Sequence, residues 1–166
     1  LYDTVERAAL ANDTALLDRS LADIKDKFST TTYAQQAALL AARVYHDKDR
    51  KADAKAQLAW VINQASDEGY RALARLRLAG LLIEDKDYAQ ARQQLTAASP
   101  EAFAPLMADR LGDVAMLESQ TAEATQHYKN AWKGFEANAE YRRLVAVKLA
   151  ALGSDPEETP IVETKK

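Results

Sequence analysis

The sequence has no cysteine, only five glycines and four prolines among 166 residues, and no long apolar run. Without cysteine, disulfides, thiol catalysis and cysteine-based zinc sites are excluded. No apolar run approaches the ~20 residues that a membrane-spanning helix needs, and no signal-peptide pattern is present. Because the chain begins at Leu1 and not at methionine, we expect a fragment or a processed form.

The chain also lacks a large excess of positive or negative charge. Its formal net charge is -3, and acidic and basic residues are mixed along the sequence. This gives no electrostatic basis for binding nucleic acid or an anionic membrane surface. Neither His46 nor His127 has neighbours at metal-ligand spacing, and there is no glycine-rich phosphate loop, nucleophile elbow or HExxH motif. We therefore predict a non-enzymatic protein with no catalytic residues, no cofactor and no metal.

The residues that are abundant are good helix formers, namely alanine, leucine, arginine, lysine, glutamate and glutamine. No stretch shows the alternation of apolar and polar residues that is typical of strands. The sequence therefore predicts an all-α domain.

A repeat organises the predicted helices. Two small residues twelve positions apart are followed, four positions after the second, by a bulky one. The three sets are Ala42, Ala54 and Leu58; Ala79, Ala91 and Leu95; and Gly112, Ala124 and Tyr128. The steps between sets are 37 and 33 residues, close to the 34-residue repeat of tetratricopeptide hairpins. Small residues let the two helices of a hairpin approach closely. The alternative is that abundant alanine falls into register by chance.

This repeat predicts a tetratricopeptide-like helical solenoid of antiparallel hairpins over residues 1–153, with a C-terminal capping helix and a disordered tail over 154–166. Val5 and Leu17 replace the small residues in a degenerate first hairpin. The predicted hairpins are 1–11 with 14–28, 33–46 with 50–65, 70–84 with 88–98, and 104–117 with 121–137, before a capping helix over 139–152.

Helix caps and surface character follow from the same pattern. We expect Asp13, Asp87 and Ser99 to cap the helices that follow them. On the capping helix, we expect a solvent-facing polar side that consists of Glu140, Arg142, Arg143 and Lys148. A basic edge around the second turn is interpreted as a solvated turn, with a docking patch as the alternative. It consists of Lys48, Arg50, Lys51 and Lys55.

The first helix of each hairpin usually lines the concave, ligand-binding face of a solenoid. We transferred the positions of this face to the first helix of each of the three clear hairpins. They predict a protein-binding groove of mixed aliphatic and polar character. The candidate residues are Gln36, Leu39, Arg43 and His46; Leu73, Leu76, Gly80 and Ile83; and Leu106, Asp109, Asp113 and Met116. Leu39, Leu73 and Leu76 stand where the carboxylate clamp of chaperone-binding tetratricopeptide domains needs polar residues, so an apolar or helical peptide fits better. The alternative is that these leucines are internal packing.

Several short segments carry a resemblance to a known family. They are Tyr33-Ala34, Ala56-Gln57-Leu58, Arg75-Leu76-Arg77-Leu78-Ala79, Ala108-Asp109-Arg110-Leu111-Gly112-Asp113 and the helix after Thr121. Over residues 1–152 the chain resembles the periplasmic tetratricopeptide domain of the ancillary SecYEG translocon subunit (YfgM-like) family.

The resemblance implies a location on the periplasmic side of the bacterial inner membrane, with a single-pass anchor that is not in this chain. It also implies protein partners: subunits of the Sec translocon and a membrane-anchored periplasmic chaperone of the prolyl-isomerase type. The expected function is that of an accessory subunit that links the translocon to periplasmic chaperones during protein export. The alternative is a solenoid scaffold in another cell-envelope complex, for outer-membrane assembly or cell-wall synthesis.

Overall fold

The computed structural model describes residues 1–157, which form α-helices and one short 3-10 turn but no strand. This confirms the predicted all-α class. None of these helices is long and apolar enough to cross a membrane. The chain divides into two compact units, which we call unit 1 (Leu1–Pro100) and unit 2 (Glu101–Lys166). Most of the tail predicted to be disordered, residues 158–166, lies outside the described part.

Unit 1 consists of three helix hairpins in a row. Its helices are α1 (Tyr2–Leu10), α2 (Thr14–Phe28), α3 (Thr32–Asp47), α4 (Lys51–Gln64), α5 (Glu68–Glu84) and α6 (Tyr88–Thr96). Each helix packs against the next, and α1 also packs against α3, the first helix of the second hairpin. The small repeat residues Ala42, Ala54, Ala79 and Ala91 are all buried.

Unit 2 contains one hairpin and a closing helix. A 3-10 turn at Glu101–Phe103 precedes α7 (Ala104–Leu117), α8 (Thr121–Gly134) and α9 (Glu140–Ala151). Val145 and Leu149 of α9 share a buried cluster with Tyr128 and Ala131 of α8. Gly112 lies directly against the Tyr128 ring, because a Cβ atom at Gly112 would come within 2.4 Å of it. The small residue of the predicted repeat therefore makes room for the bulky one.

The turns between the paired helices share one backbone conformation. One residue in each turn has a positive φ angle, and its neighbour donates a backbone hydrogen bond to the carbonyl five residues earlier. The four residues with positive φ are Asn12, Asp49, Lys86 and Ser119. The last three are separated by the same 37 and 33 residues as the repeat. The first hairpin, although degenerate in its small residues, therefore has the turn of a regular unit.

The predicted helix boundaries agree with the structure to within three residues. The caps predicted at Asp13 and Asp87 are confirmed, because their carboxylates accept the backbone N–H of Leu16 and Gln90. The cap predicted at Ser99 is wrong. A residue before proline is restricted to extended conformations, and α7 begins only after the 3-10 turn. The 88–98 helix also ends early, at Thr96, which leaves Ala98 exposed.

Candidate protein-binding groove

A groove runs between α3 and α5, the first helices of the second and third hairpins of unit 1. Two adjacent cavities of about 300 and 200 Å³ make up this groove. The larger contains Ala42 of α3, Leu58 of α4 and Leu81 of α5 in its apolar lining. The smaller lies between Gln36, Leu39 and Leu40 of α3 and Arg77 of α5. The groove is thus a feature of unit 1 alone.

Side chains cross the groove at three levels and link α3 to α5. The Gln36 amide donates to the Tyr70 hydroxyl at 2.7 Å. The Arg77 guanidinium donates to the Leu39 carbonyl at 3.4 Å, and His46 Nε2 lies 3.1 Å from a carboxylate oxygen of Glu84. These contacts fix the spacing of the two helices, while α4 closes the space behind them.

Two arginines, Arg43 of α3 and Arg77 of α5, line both cavities. Arg77 reaches the surface, yet protein atoms surround its guanidinium closely. Desolvation by this burial and, secondarily, the charge of Arg43 lower the pKa of Arg77. Within the described residues neither guanidinium has an ion-pair partner, and Arg77 donates a hydrogen bond to the carbonyl of Leu39.

The basic edge predicted at the second turn is organised differently. Arg50 contacts Asp53 at 2.6 Å and Asp18 at 3.1 Å, and Lys51 and Lys55 both bind Asp85. Hydrogen bonds from these two lysines hold the pKa of the Asp85 carboxyl below its usual range. The edge therefore consists mainly of ion pairs that link successive hairpins. Neither interpretation of the sequence, a solvated turn or a docking patch, included these pairs. Of the four residues, only Lys48 is exposed, and the other three are half-buried.

The structure brings together only part of the predicted site. Gln36, Leu39, Arg43 and His46 all lie on the groove, and Gly80 faces them from α5. On the same helix, Leu73, Leu76 and Ile83 are half-buried and line neither cavity.

Sequence reasoning missed Arg77 and Glu84, which line the groove from α5. Arg77 could have been found from its separation from Arg43 along the sequence. The two lie 34 residues apart, as do Gln36 and Tyr70, whereas the small residues of these hairpins repeat after 37.

In unit 2 the candidate residues on α7 have a different environment. Asp109 has no exposed surface, and its carboxylate accepts a 2.7 Å hydrogen bond from the ammonium of Lys148 on α9. The same ammonium lies 2.7 Å from Asp113, which also accepts from the Tyr128 hydroxyl. Asp109 is therefore inaccessible to a partner in this arrangement. Leu106 is half-buried and Met116 is 38% exposed.

These contacts also correct the expected polar side of the capping helix. Lys148 points inward to α7, and the Arg142 guanidinium lies 3.7 Å from the centre of the Trp132 ring. Burial alone would lower the pKa of Lys148, but its hydrogen bonds with Asp109 and Asp113 raise it on balance. Arg143 is exposed, as predicted.

Each histidine lies next to one glutamate. His46 pairs with Glu84, and His127 lies 3.2 Å from Glu123, one helical turn away. No group of three or more potential ligands that could hold a metal ion is found in the part of the chain that the structure describes.

Comparison with known proteins is consistent with this architecture. The model of the tetratricopeptide repeat-like domain family matches residues 1–154. The chain is also similar to a protein of Neisseria gonorrhoeae (strain ATCC 700825 / FA 1090) described as an ancillary SecYEG translocon subunit. The two are 29% identical over 152 residues, which cover 92% of this chain and 73% of the relative. The resemblance derived from the sequence is thereby confirmed.

Proposed function

Since this chain belongs to the tetratricopeptide repeat-like domain family, we propose that it is a protein-interaction module which docks partners through the groove of unit 1. The groove supports this proposal, because it offers apolar surface together with polar groups that are not all engaged by the fold. The family and the similarity to an accessory subunit support a non-enzymatic role.

We further propose that the protein is an accessory subunit of the Sec translocon on the periplasmic side of the inner membrane. The similarity to the ancillary SecYEG translocon subunit along almost the whole chain carries this proposal. In it, a single-pass anchor outside this chain holds the domain at the membrane. Its partners are translocon subunits and a membrane-anchored periplasmic chaperone of the prolyl-isomerase type, to which newly exported chains are handed.

Site-specific photocrosslinking in cells tests the function and the groove together. A photoreactive phenylalanine analogue replaces Leu40, which lines the groove, or Met116, which is exposed in unit 2. Asp26, an exposed residue of α2, is the matched control position. We expect the probe at Leu40 to capture translocon or chaperone subunits, identified by mass spectrometry, and the probe at Asp26 not to do so.

The outcomes separate the alternatives. Capture of outer-membrane assembly or cell-wall proteins in place of translocon subunits would favour a scaffold in another envelope complex. Capture of the same partners from Asp26 and Leu40 would remove the groove as the docking site. Capture of no envelope protein from any position would contradict the proposed function.

A further inference from the structure

The groove of unit 1 contains more positive charge than its own residues neutralise. Arg43 and Arg77 both line it and lack a carboxylate partner among residues 1–157. Glu84, the acidic residue of the lining, is already engaged by His46 at 3.1 Å and by Lys51 at 3.3 Å. An uncompensated pair of guanidiniums in a concave site is complementary to a carboxylate, which each of them can bind with two parallel hydrogen bonds.

Several other cations of the chain, unlike Arg43 and Arg77, are paired with carboxylates. Arg50, Lys51 and Lys55, at the neighbouring turn, are all paired with carboxylates. Lys148 is likewise held between two aspartates. Burial is the main cause of the lowered pKa of Arg77, and the charge of Arg43 adds to it, because like charges placed together have a free-energy cost. A ligand that brings a negative charge would relieve it.

The position of the two arginines indicates what kind of carboxylate fits. Because Arg43 and Arg77 line both cavities, the groove continues past them in two directions. One direction leads to Gln36 and Leu40, and the other to Ala42 and Gly80. At Gly80 nothing lies within 4 Å of where a Cβ atom would be, so the groove is open there. Cavity space on both sides of the arginines therefore leaves room for residues that precede and follow a bound carboxylate.

We propose that the groove of unit 1 binds an extended peptide segment of a partner protein that carries an internal aspartate or glutamate between aliphatic residues. The carboxylate lies between the guanidiniums of Arg43 and Arg77, and the flanking side chains occupy the two cavities. This proposal rests on the proposed protein-docking function and specifies the chemistry of the docked segment.

A capped peptide library tests the proposal on the whole chain. Nonapeptides, acetylated and amidated so that they carry no terminal charge, have glutamate or glutamine at the centre. Alanine, leucine, valine, serine or threonine is randomised at the other positions. We expect binding peptides to be enriched in glutamate, and the selected glutamate peptide to bind at least about ten-fold more tightly than its glutamine twin in fluorescence anisotropy.

Variants assign the effect to the two arginines. Arg43→Gln and Arg77→Gln should each remove the preference for glutamate. Arg19→Gln, which makes the same change of charge on α2 outside both cavities, should preserve it. Circular dichroism verifies that each variant is folded. Raising the salt concentration should weaken binding to the wild-type chain.

Several results would overturn the proposal. Equal affinity for the glutamate and glutamine twins would show that no carboxylate is recognised. Binding only by peptides with a free C-terminus would show that the groove receives a chain end. If photocrosslinking from Leu40 still captures translocon subunits while the twins bind equally, only the acidic-segment proposal fails. If the glutamate preference is found but no envelope partner is captured, the assignment to the translocon fails instead.

Discussion

Gly80 and Gly112 both lie inside an α-helix, but a side chain would meet different surroundings at the two positions. At Gly80 a Cβ atom would have nothing within 4 Å. At Gly112 it would come within 2.4 to 2.9 Å of the ring of Tyr128, which is itself buried and hydrogen-bonded to Asp113. The repeat pattern had assigned a role in packing only to Gly112, and the structure agrees.

The two glycines therefore predict opposite effects of the same substitution. Gly80→Ala should stabilise unit 1 by about 0.5–1 kcal/mol, because alanine is the better helix former and nothing obstructs it. Gly112→Ala should destabilise unit 2 by roughly 1–2 kcal/mol, since overpacking outweighs the gain in helix propensity. The sequence has two tryptophans, Trp60 in unit 1 and Trp132 in unit 2. Urea unfolding followed by fluorescence in single-tryptophan variants can thus measure each unit. Destabilisation by both substitutions would contradict the open groove at Gly80.

Lys86 has a φ angle of 60°, in a region that residues other than glycine rarely adopt. Lys86→Gly should therefore stabilise unit 1 by about 0.5 kcal/mol. The strain energy that the substitution removes is larger than the free-energy cost of the extra conformational entropy that glycine loses on folding. Lys48→Gly is the matched control, because Lys48 is also an exposed lysine of a hairpin turn but has a φ angle of -99°. It should leave the stability unchanged or lower it slightly. The Trp60 fluorescence assay measures both, and equal effects of the two changes would refute the explanation.

At the scale of helices, the sequence best predicted the features that depend on residues close together in the sequence. The bounds of α2 and α7 and the caps of α2 and α6 follow from local patterns, and they agree with the structure. The pairing of Lys148 with Asp109 could not be read in this way, because 39 residues separate them. Surface lysines and aspartates are common, and only the packing of α9 decides which of them meet.

The contacts of Lys148 predict a strong energetic coupling between α7 and α9. Lys148→Gln should destabilise unit 2 by roughly 2–4 kcal/mol, because it leaves the buried Asp109 carboxylate without its cation. Asp109→Asn should cost less in the Lys148→Gln background than in the wild-type chain, and the difference, about 1–3 kcal/mol, is the coupling energy. Urea unfolding followed by Trp132 fluorescence measures all four proteins. Additive effects would show that the two residues do not interact in solution.

The stability of unit 2 at alkaline pH provides a second test of the contacts between these helices. Hydrogen bonds raise the pKa of Lys148 on balance, and burial with the hydrogen bond to Asp113 raises the pKa of Tyr128. Both groups hold their proton more tightly in the folded state. Their contribution to stability is therefore complete below pH 10 and is lost as the pH rises above it, where the unfolded chain releases the protons.

The free energy of unfolding of unit 2 should consequently be the same at pH 8 and 9.5 and lower at pH 11. Tyr128→Phe should reduce this loss, because the variant has no hydroxyl to ionise at that position. Denaturant unfolding at the three pH values, followed by Trp132 fluorescence, gives the slopes. A loss of stability that begins below pH 9 would mean that other groups dominate.

For the molecule as a whole, the repeat was predictable because it recurs in sequence, but the division of the chain was not. The pattern of small residues continues from Ala79 to Gly112 without a sign of the boundary that the structure places after Pro100. The candidate residues of α3 do line the two cavities, while their binding of a partner stays a prediction. The residues of α5 that face the groove were missed because the 37-residue step of the small residues differs from the 34-residue step between Arg43 and Arg77.

The division into two compact units, each with buried side chains of its own, predicts that stability is also divided. In repeat proteins, local perturbations spread mainly through the packed neighbours of the altered residue, and parts of one chain can open separately. Lys148→Gln should therefore accelerate amide hydrogen exchange about ten-fold or more in α7, α8 and α9. Exchange in α1 to α4, which belong to unit 1, should change by less than about two-fold.

Mass spectrometry of peptic peptides resolves the helices. Gly80→Ala is the converse control, because it should slow exchange around α5 and leave α9 unchanged. If Lys148→Gln accelerated exchange equally in all helices, the chain would unfold as one cooperative body, and the two units would have no separate stability.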